Sequence, residues 1–297
     1  MPGLRFAVPP LACDCHMHVF GPAERFPGVA GRSYTPVAAP LAGWRRAFGA
    51  LGLERLVVVQ PSAYGADNTC MAEAVAEVGA GTARGVGGLD AGTAEAVLRG
   101  LDAGGVRGVR LNPKSAGFDD VAGLRVLIRE AAEQVAPLGW HLELYADLAQ
   151  VAAVADALRA AAVPVVLDHM GGARAWDEGG ALRPVLDLLG AGGCWVKLSG
   201  AYRVSRGAAG FADSTPVARA LVRANPERVL WGSDWPHTAA HAGRSGAAPE
   251  PIAFRSIDPA GLLDLLAEAA GDEETFRRVL VTNPARLYGW EPGNGTG

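Results

Sequence analysis

Eight short apolar runs, each followed by an Ala/Leu-rich amphipathic stretch, constrain the fold of this chain more than any other feature. The runs are Ala12–Val19, Arg55–Gln60, Arg84–Leu89, Val106–Leu111, His141–Tyr145, Pro164–Asp168, Trp195–Ser199 and Arg228–Gly232. They barely alternate between apolar and polar residues, as expected of strands buried on both faces. Helical periodicity lies between them, at Asn68–Val78, Val121–Val135, Leu148–Ala161 and Pro216–Ala224. Eight strand–helix units in 297 residues fit a closed α/β barrel, the (β/α)8 TIM-like fold, better than an open doubly wound sheet. The 40 glycines and 20 prolines are dispersed, so no linker divides the chain and residues 1–297 read as a single domain.

A hydrophobic share of 49% supports a large core, and a net charge of −4 gives no basic footprint for nucleic acid. No apolar run is long enough to span a bilayer, and MPGLRFAVPPLA lacks a charged segment followed by a long apolar one. The expectation is a cytoplasmic protein whose four cysteines are free thiols. The expected partner is a small molecule, with neither nucleic acid nor membrane involved. Nothing in the sequence specifies an oligomer.

Barrel enzymes carry their chemistry at the carboxyl ends of the strands, and here nearly every strand ends in polar residues. Strand one ends His16-x-His18, strand two Gln60-Pro61-Ser62, and strand four Arg110-Leu111-Asn112. Strand five carries Glu143 and Tyr145, and strand six ends Asp168-His169. Strand seven runs into Lys197-Leu198-Ser199-Gly200, and strand eight into Ser233-Asp234-Trp235-Pro236-His237. By strand alternation Asp14, His16 and His18 share one face, while Cys13, Cys15 and Met17 share the other, which packs on helices. Cys13-x-Cys15 has no partner pair for a zinc clip.

His16, His18, His169 and Asp234 come from strands one, six and eight, which meet at the top of a closed barrel. Three imidazoles and a carboxylate match the ligand set of a mononuclear hydrolytic metal site. Without a metal, the same aspartate is a general base for water and the histidines polarise a carbonyl. A buried Glu143 needs a cation or a proton, and Lys197 is one candidate partner.

These residues resemble the amidohydrolase superfamily in His16-x-His18, His169 and Trp231-Gly-Ser-Asp234-Trp-Pro-His237, with Thr282–Trp290 similar to its closing helix. Further motifs are Asp14-Cys-His-Met-His-Val-Phe-Gly-Pro22, Tyr34-Thr-Pro36, Val58–Gly65, Arg107–Asn112, Leu167–Gly171 and Lys197–Arg203. Together they resemble the branch containing 2-pyrone-4,6-dicarboxylate lactonase, related sugar-acid lactonases and galactarolactone isomerase. The resemblance implies a hydrolase that opens a small carboxylated lactone. His16, His18 and His169 would surround the ester carbonyl and Asp234 would activate water. Substrate contacts would come from Tyr34, Ser62, Arg110, Tyr145, Arg203 and His237. The branch implies a site that requires no cofactor; the wider superfamily implies a divalent metal such as zinc, held by His16, His18, His169 and Asp234. Alternatives on the same scaffold are a sugar-acid lactone isomerase, a metal-dependent amidohydrolase or decarboxylase and, furthest away, a non-catalytic binding barrel.

One position departs from the branch. The loop after strand four reads Pro113-Lys114-Ser115-Ala116-Gly117, where the dicarboxylate lactonase pattern has a second arginine. A point charge on a flexible stem does not replace a guanidinium fork, so a singly charged or more neutral lactone is expected.

Overall fold

The computed structural model describes residues 4–177, 180–239 and 250–291. Eight parallel strands form one sheet, paired in chain order: β1 (Cys13–Met17), β2 (Arg55–Val59), β3 (Ala83–Gly87), β4 (Val106–Leu111), β5 (His141–Leu144), β6 (Val165–Leu167), β7 (Cys194–Leu198) and β8 (Val229–Trp231). Every expected run forms a strand. Burial on both faces accounts for their unalternated composition: on β2, Leu56 and Val58 join the core under the helices, whereas Val57 and Val59 join a second cluster inside the barrel.

The sheet closes between its first and last strands. His18 N–H donates to the Trp235 carbonyl at 2.8 Å and Asp234 N–H to the His16 carbonyl at 2.8 Å. Asp14 fastens the same seam, accepting from Ser233 N at 2.9 Å, Ser233 Oγ at 2.5 Å and Trp44 Nε1 at 2.7 Å. Gly232 permits this approach, because a Cβ there would lie 2.5 Å from that of His16. The expected (β/α)8 barrel is therefore the architecture found.

One feature of β1 overturns the face assignment made from alternation. Asp14 pairs with Leu56 but Met17 pairs with Val58, so three steps on β1 match two on β2. This bulge puts one extra residue between the two pairs and flips the pleat. Asp14 therefore turns outward to Trp44 of the helix Leu41–Ala47. Cys13 and Cys15 face the barrel interior with Val57, Val59 and Tyr288 rather than the helices. All four cysteines are free and buried.

The helices follow their apolar spacing. In Val121–Val135 the buried residues are Leu124, Ile128, Ala132 and Val135, and Asp120 caps the start by accepting from Ala122 N–H. Burying each large aliphatic side chain there contributes about 2 kcal/mol. The single helical pattern at 148–161 is divided into Leu148–Ala153 and Ala155–Ala160. Val154, fully buried with φ −110° and ψ 12°, makes the bend, and both halves bury apolar residues, Val151 in the first and Ala155 and Leu158 in the second. At the barrel floor Tyr288 and Trp290 close the interior: Arg84 Nε donates to the Tyr288 carbonyl at 3.0 Å, and Arg55 and Arg84 lie over the Trp290 ring. No helix among the described residues is long and apolar enough to cross a membrane.

Candidate active site

The carboxyl ends of β1, β6 and β8 bring His16, His18, His169 and Asp234 together, all buried. Two of the four stand in left-handed backbone conformations that non-glycine residues rarely adopt, His169 at φ 48° and Asp234 at φ 58°. The seam bond from Asp234 N–H holds the second of these in place.

Asp234 has two unlike oxygens. Oδ2 accepts from Tyr202 OH at 2.6 Å and Arg203 Nε at 2.7 Å. Oδ1 has no hydrogen-bond partner among the described residues and lies 3.5 Å from His18 Nε2 and 3.8 Å from His16 Nε2. Burial pushes this carboxyl up, but Arg203 and the neighbouring imidazoles outweigh it and hold Asp234 well below the usual carboxylate range. The acid is therefore ionised at neutral pH.

Each histidine is oriented from behind. His18 Nδ1 lies 2.8 Å from the Val59 carbonyl, which only accepts, so that nitrogen carries the proton and Nε2 faces Asp234. His169 Nδ1 contacts Ser199 Oγ at 2.9 Å. Burial drives the His169 pKa down to about 4, keeping it neutral. Gly200, at φ 59°, leaves room for this contact: a Cβ would come within 2.9 Å of His169 Nδ1 and 3.1 Å of Asp234 Oδ2.

Above these groups lies a narrow chamber of about 20 Å³, room for little more than one water. Of the expected substrate contacts, Tyr34, Ser62, Arg110, Tyr145 and Arg203 line it, joined by Asn112, Ser115 and Thr238. His237 is set back, against Phe48 and Tyr202. A larger pocket of about 300 Å³ opens beside the chamber and shares Pro61, Ser62, Arg110, Asn112 and Ser115 with it. Arg32 and Gln60 lie along that pocket. The chemistry belongs to the smaller space, because His18, His169 and Arg203 line it and none of them lines the larger pocket.

Below the chamber is a layer of buried charge. Arg110 Nε donates to Asp168 Oδ2 at 2.9 Å, its Nη2 is ion-paired with the same oxygen at 2.9 Å, and its Nε lies 3.6 Å from Glu143 Oε1. Lys197 hydrogen-bonds Glu143 Oε2, so the expected pairing of these two residues is present. Glu143 and Asp168 are both held below their usual range: burial raises them, but Lys197 and Arg110 outweigh it. Lys114 is drawn away to Asp147. Sequence reasoning assigned no site role to Asp168 or Tyr202. Their only signal was position, one residue before His169 and one before Arg203.

The donor atoms of His16, His169 and Asp234 lie within 4.8 Å of one another, as do those of His16, Glu143 and Asp168, and either set is spaced to hold a metal ion. The first set has the nitrogen and oxygen donors that zinc prefers. In the surroundings, Asp234, Asp168 and Glu143 are already matched in charge by Arg203, Arg110 and Lys197.

The sequence is 33% identical over 293 residues to a 4-sulfomuconolactone hydrolase from Hydrogenophaga intermedia, covering 96% of this chain and 91% of that one. It is also 33% identical over 295 residues to a 2-pyrone-4,6-dicarboxylate hydrolase from Comamonas testosteroni, at 96% and 92% coverage. A D-galactarolactone isomerase from Agrobacterium fabrum is 29% identical, at 98% and 95% coverage. Among solved structures, an apo protein from Agrobacterium tumefaciens superposes with a TM-score of 0.80 at 27% identity, covering 98% of this chain and all of that one. The amidohydrolase family model matches residues 13–290. With the histidine pair on β1, His169 after β6 and Asp234 after β8 in one chamber, the chain belongs to the amidohydrolase family.

Proposed function

We propose that this protein is a lactone hydrolase, organised as one barrel domain, that opens a small lactone bearing an anionic group. The observation that carries this reading is the division of labour within Asp234. Oδ2 is fixed by Tyr202 and Arg203, while Oδ1 is open beside His18 Nε2. A water whose hydrogens point at these two acceptors has its oxygen lone pair free for an ester carbonyl. The water oxygen bonds to the carbonyl carbon while its proton passes to Asp234 Oδ1. His16 and His169 stabilise the resulting oxyanion. The ring C–O bond then breaks, and the proton returns to the ring oxygen, leaving a hydroxy acid or its keto form.

Arg110 and Arg203 are the cations nearest the chamber and suit a carboxylate or sulfonate on the substrate. Tyr34, Ser62 and Tyr145 complete its wall, and His237 packs against Tyr202, whose hydroxyl holds Asp234. Since Lys114 is bound to Asp147, no second fork follows strand four, and one anionic group is the minimum recognition requirement. The adjoining pocket accommodates a substituent on the ring. If a divalent ion binds, His16, His18, His169 and Asp234 hold it, and it supplies a more acidic water. The balanced set of three buried cations and three buried carboxylates favours hydrolysis without one, because an added dication would leave excess charge in a site of low dielectric.

The test is product analysis in ¹⁸O-water on a panel of pyrone carboxylates, muconolactone-type compounds and aldonolactones. Hydrolysis places one ¹⁸O in the new carboxylate, whereas isomerisation of a lactone places none. Asp234→Asn is expected to lower kcat by ~100-fold or more. Activity within about threefold of wild type would remove Asp234 from the base role.

A further inference from the structure

Lys197 lies wholly inside the barrel, too deep to meet substrate, yet it touches the back of a catalytic ring. Besides its bond to Glu143, its Nζ lies 3.2 Å from His16 Nδ1 and 3.8 Å from Asp168 Oδ1. An ammonium has only donors, so in this hydrogen bond Nδ1 of His16 is the acceptor and carries no proton. Two carboxylate oxygens approach the same nitrogen, Asp168 Oδ1 at 3.2 Å and Glu143 Oε1 at 3.5 Å, and either would call for the opposite tautomer. Neither oxygen makes a hydrogen bond with any described residue. The ammonium alone meets Nδ1 with hydrogen-bond geometry.

The far side of the ring agrees. His16 Nε2 is buried without a hydrogen-bond partner among the described residues, 3.8 Å from the open Oδ1 of Asp234. A bare Nε2 would set its lone pair against an anionic oxygen. A protonated Nε2 sets a positive hydrogen there instead. Because Nδ1 accepts from the ammonium it carries no proton, so the ring is neutral and its one proton belongs on Nε2.

We propose that Lys197 is a positioning residue: by donating to His16 Nδ1 it holds the imidazole as the Nε2–H tautomer, which makes His16 a hydrogen-bond donor to the lactone carbonyl oxygen. Lys197 thereby sets the polarity of a ring that meets the substrate, without meeting the substrate itself. Glu143 and Asp168 balance the ammonium and aim it. In this tautomer the nitrogen that faces the chamber has no lone pair to offer a metal ion. The donor role rests on the lactone-hydrolase reading; the tautomer does not.

The tautomer is measured directly by long-range ¹H–¹⁵N correlation on protein labelled with ¹⁵N-histidine. The chain has six histidines, and His16 is assigned by its absence in His16→Gln. Wild type is expected to show a protonated Nε2 and a bare Nδ1 for His16. A proton on Nδ1 would overturn the proposal without any variant being made. Lys197→Met combined with Glu143→Gln removes the ammonium without stranding its carboxylate. In that protein the His16 proton is expected to move to Nδ1, toward Asp168, with kcat falling about 100-fold and KM changing less than about threefold. An unchanged tautomer in the double variant would equally overturn the role of Lys197. A tautomer that behaves as expected in a protein that opens no lactone would refute the substrate reading and leave the Lys197–His16 coupling standing.

Discussion

Arg203→Met probes how the base is tuned. Its guanidinium bonds the inner oxygen of Asp234 at 2.7 Å, and the Arg203 side chain is only 18% exposed. Two unit charges about 4 Å apart interact by about 4 kcal/mol at an effective dielectric of 20. Partial exposure, the Tyr202 hydroxyl and the remaining imidazoles temper this. The sign is fixed: removing a cation destabilises the carboxylate, so its pKa rises. Because Asp234 works as the ionised base, the acid limb of kcat/KM moves to higher pH. The assay is a pH–rate profile on a carboxylated and a neutral lactone. KM for the carboxylated substrate rises as well, but the limb shift is common to both. An acid limb unmoved on either substrate, with measurable turnover, would refute the claim that Arg203 sets the state of Asp234.

Arg110→Met is expected to raise KM for a carboxylated lactone more than for a neutral one. It should also lower stability by about 3–5 kcal/mol in urea unfolding, because the fully buried Asp168 loses a two-point partner; equal KM effects would assign Arg110 to structure alone. Stability should also fall as pH drops. Burial holds His169 and His237 near a pKa of about 4, so between about 6.5 and 4 the unfolded chain binds protons the folded one does not, costing roughly 2–3 kcal/mol per histidine by pH 4.5. Matching urea midpoints at pH 7 and pH 4.5 would contradict this, and His237→Gln should flatten the slope.

The barrel was legible because its strands are buried on both faces, and the runs around Val57, Val109, Leu142 and Val166 have no other explanation. The site was legible at the strand ends, where His16, His18, His169 and Asp234 interrupt apolar sequence. The bulge in β1 left no mark: no glycine or proline flags it, and the His16 carbonyl beside it is bonded across the seam to Asp234 N–H. Alternation therefore misplaced Asp14, Cys13 and Cys15. Sequence indicated that a buried Glu143 would need a cation or a proton. It could not show that Arg110 and Arg203 would spend part of their donor capacity on Asp168 and Asp234, since pairing across a barrel depends on three-dimensional register. The break at Val154 was equally hidden, as the apolar spacing on either side continues unbroken.

The seam fastened by Asp14 and Ser233 joins residues 219 positions apart. A polypeptide emerging from the ribosome can build most of its strand–helix units by local pairing, yet it has no chamber until β8 has been made and has docked on β1. Turnover in this molecule is therefore an all-or-none report on the last act of folding. A chain stalled, cut or nicked before that docking would keep most of its helical signal while being chemically silent, and partially assembled forms would release no stray hydrolytic activity.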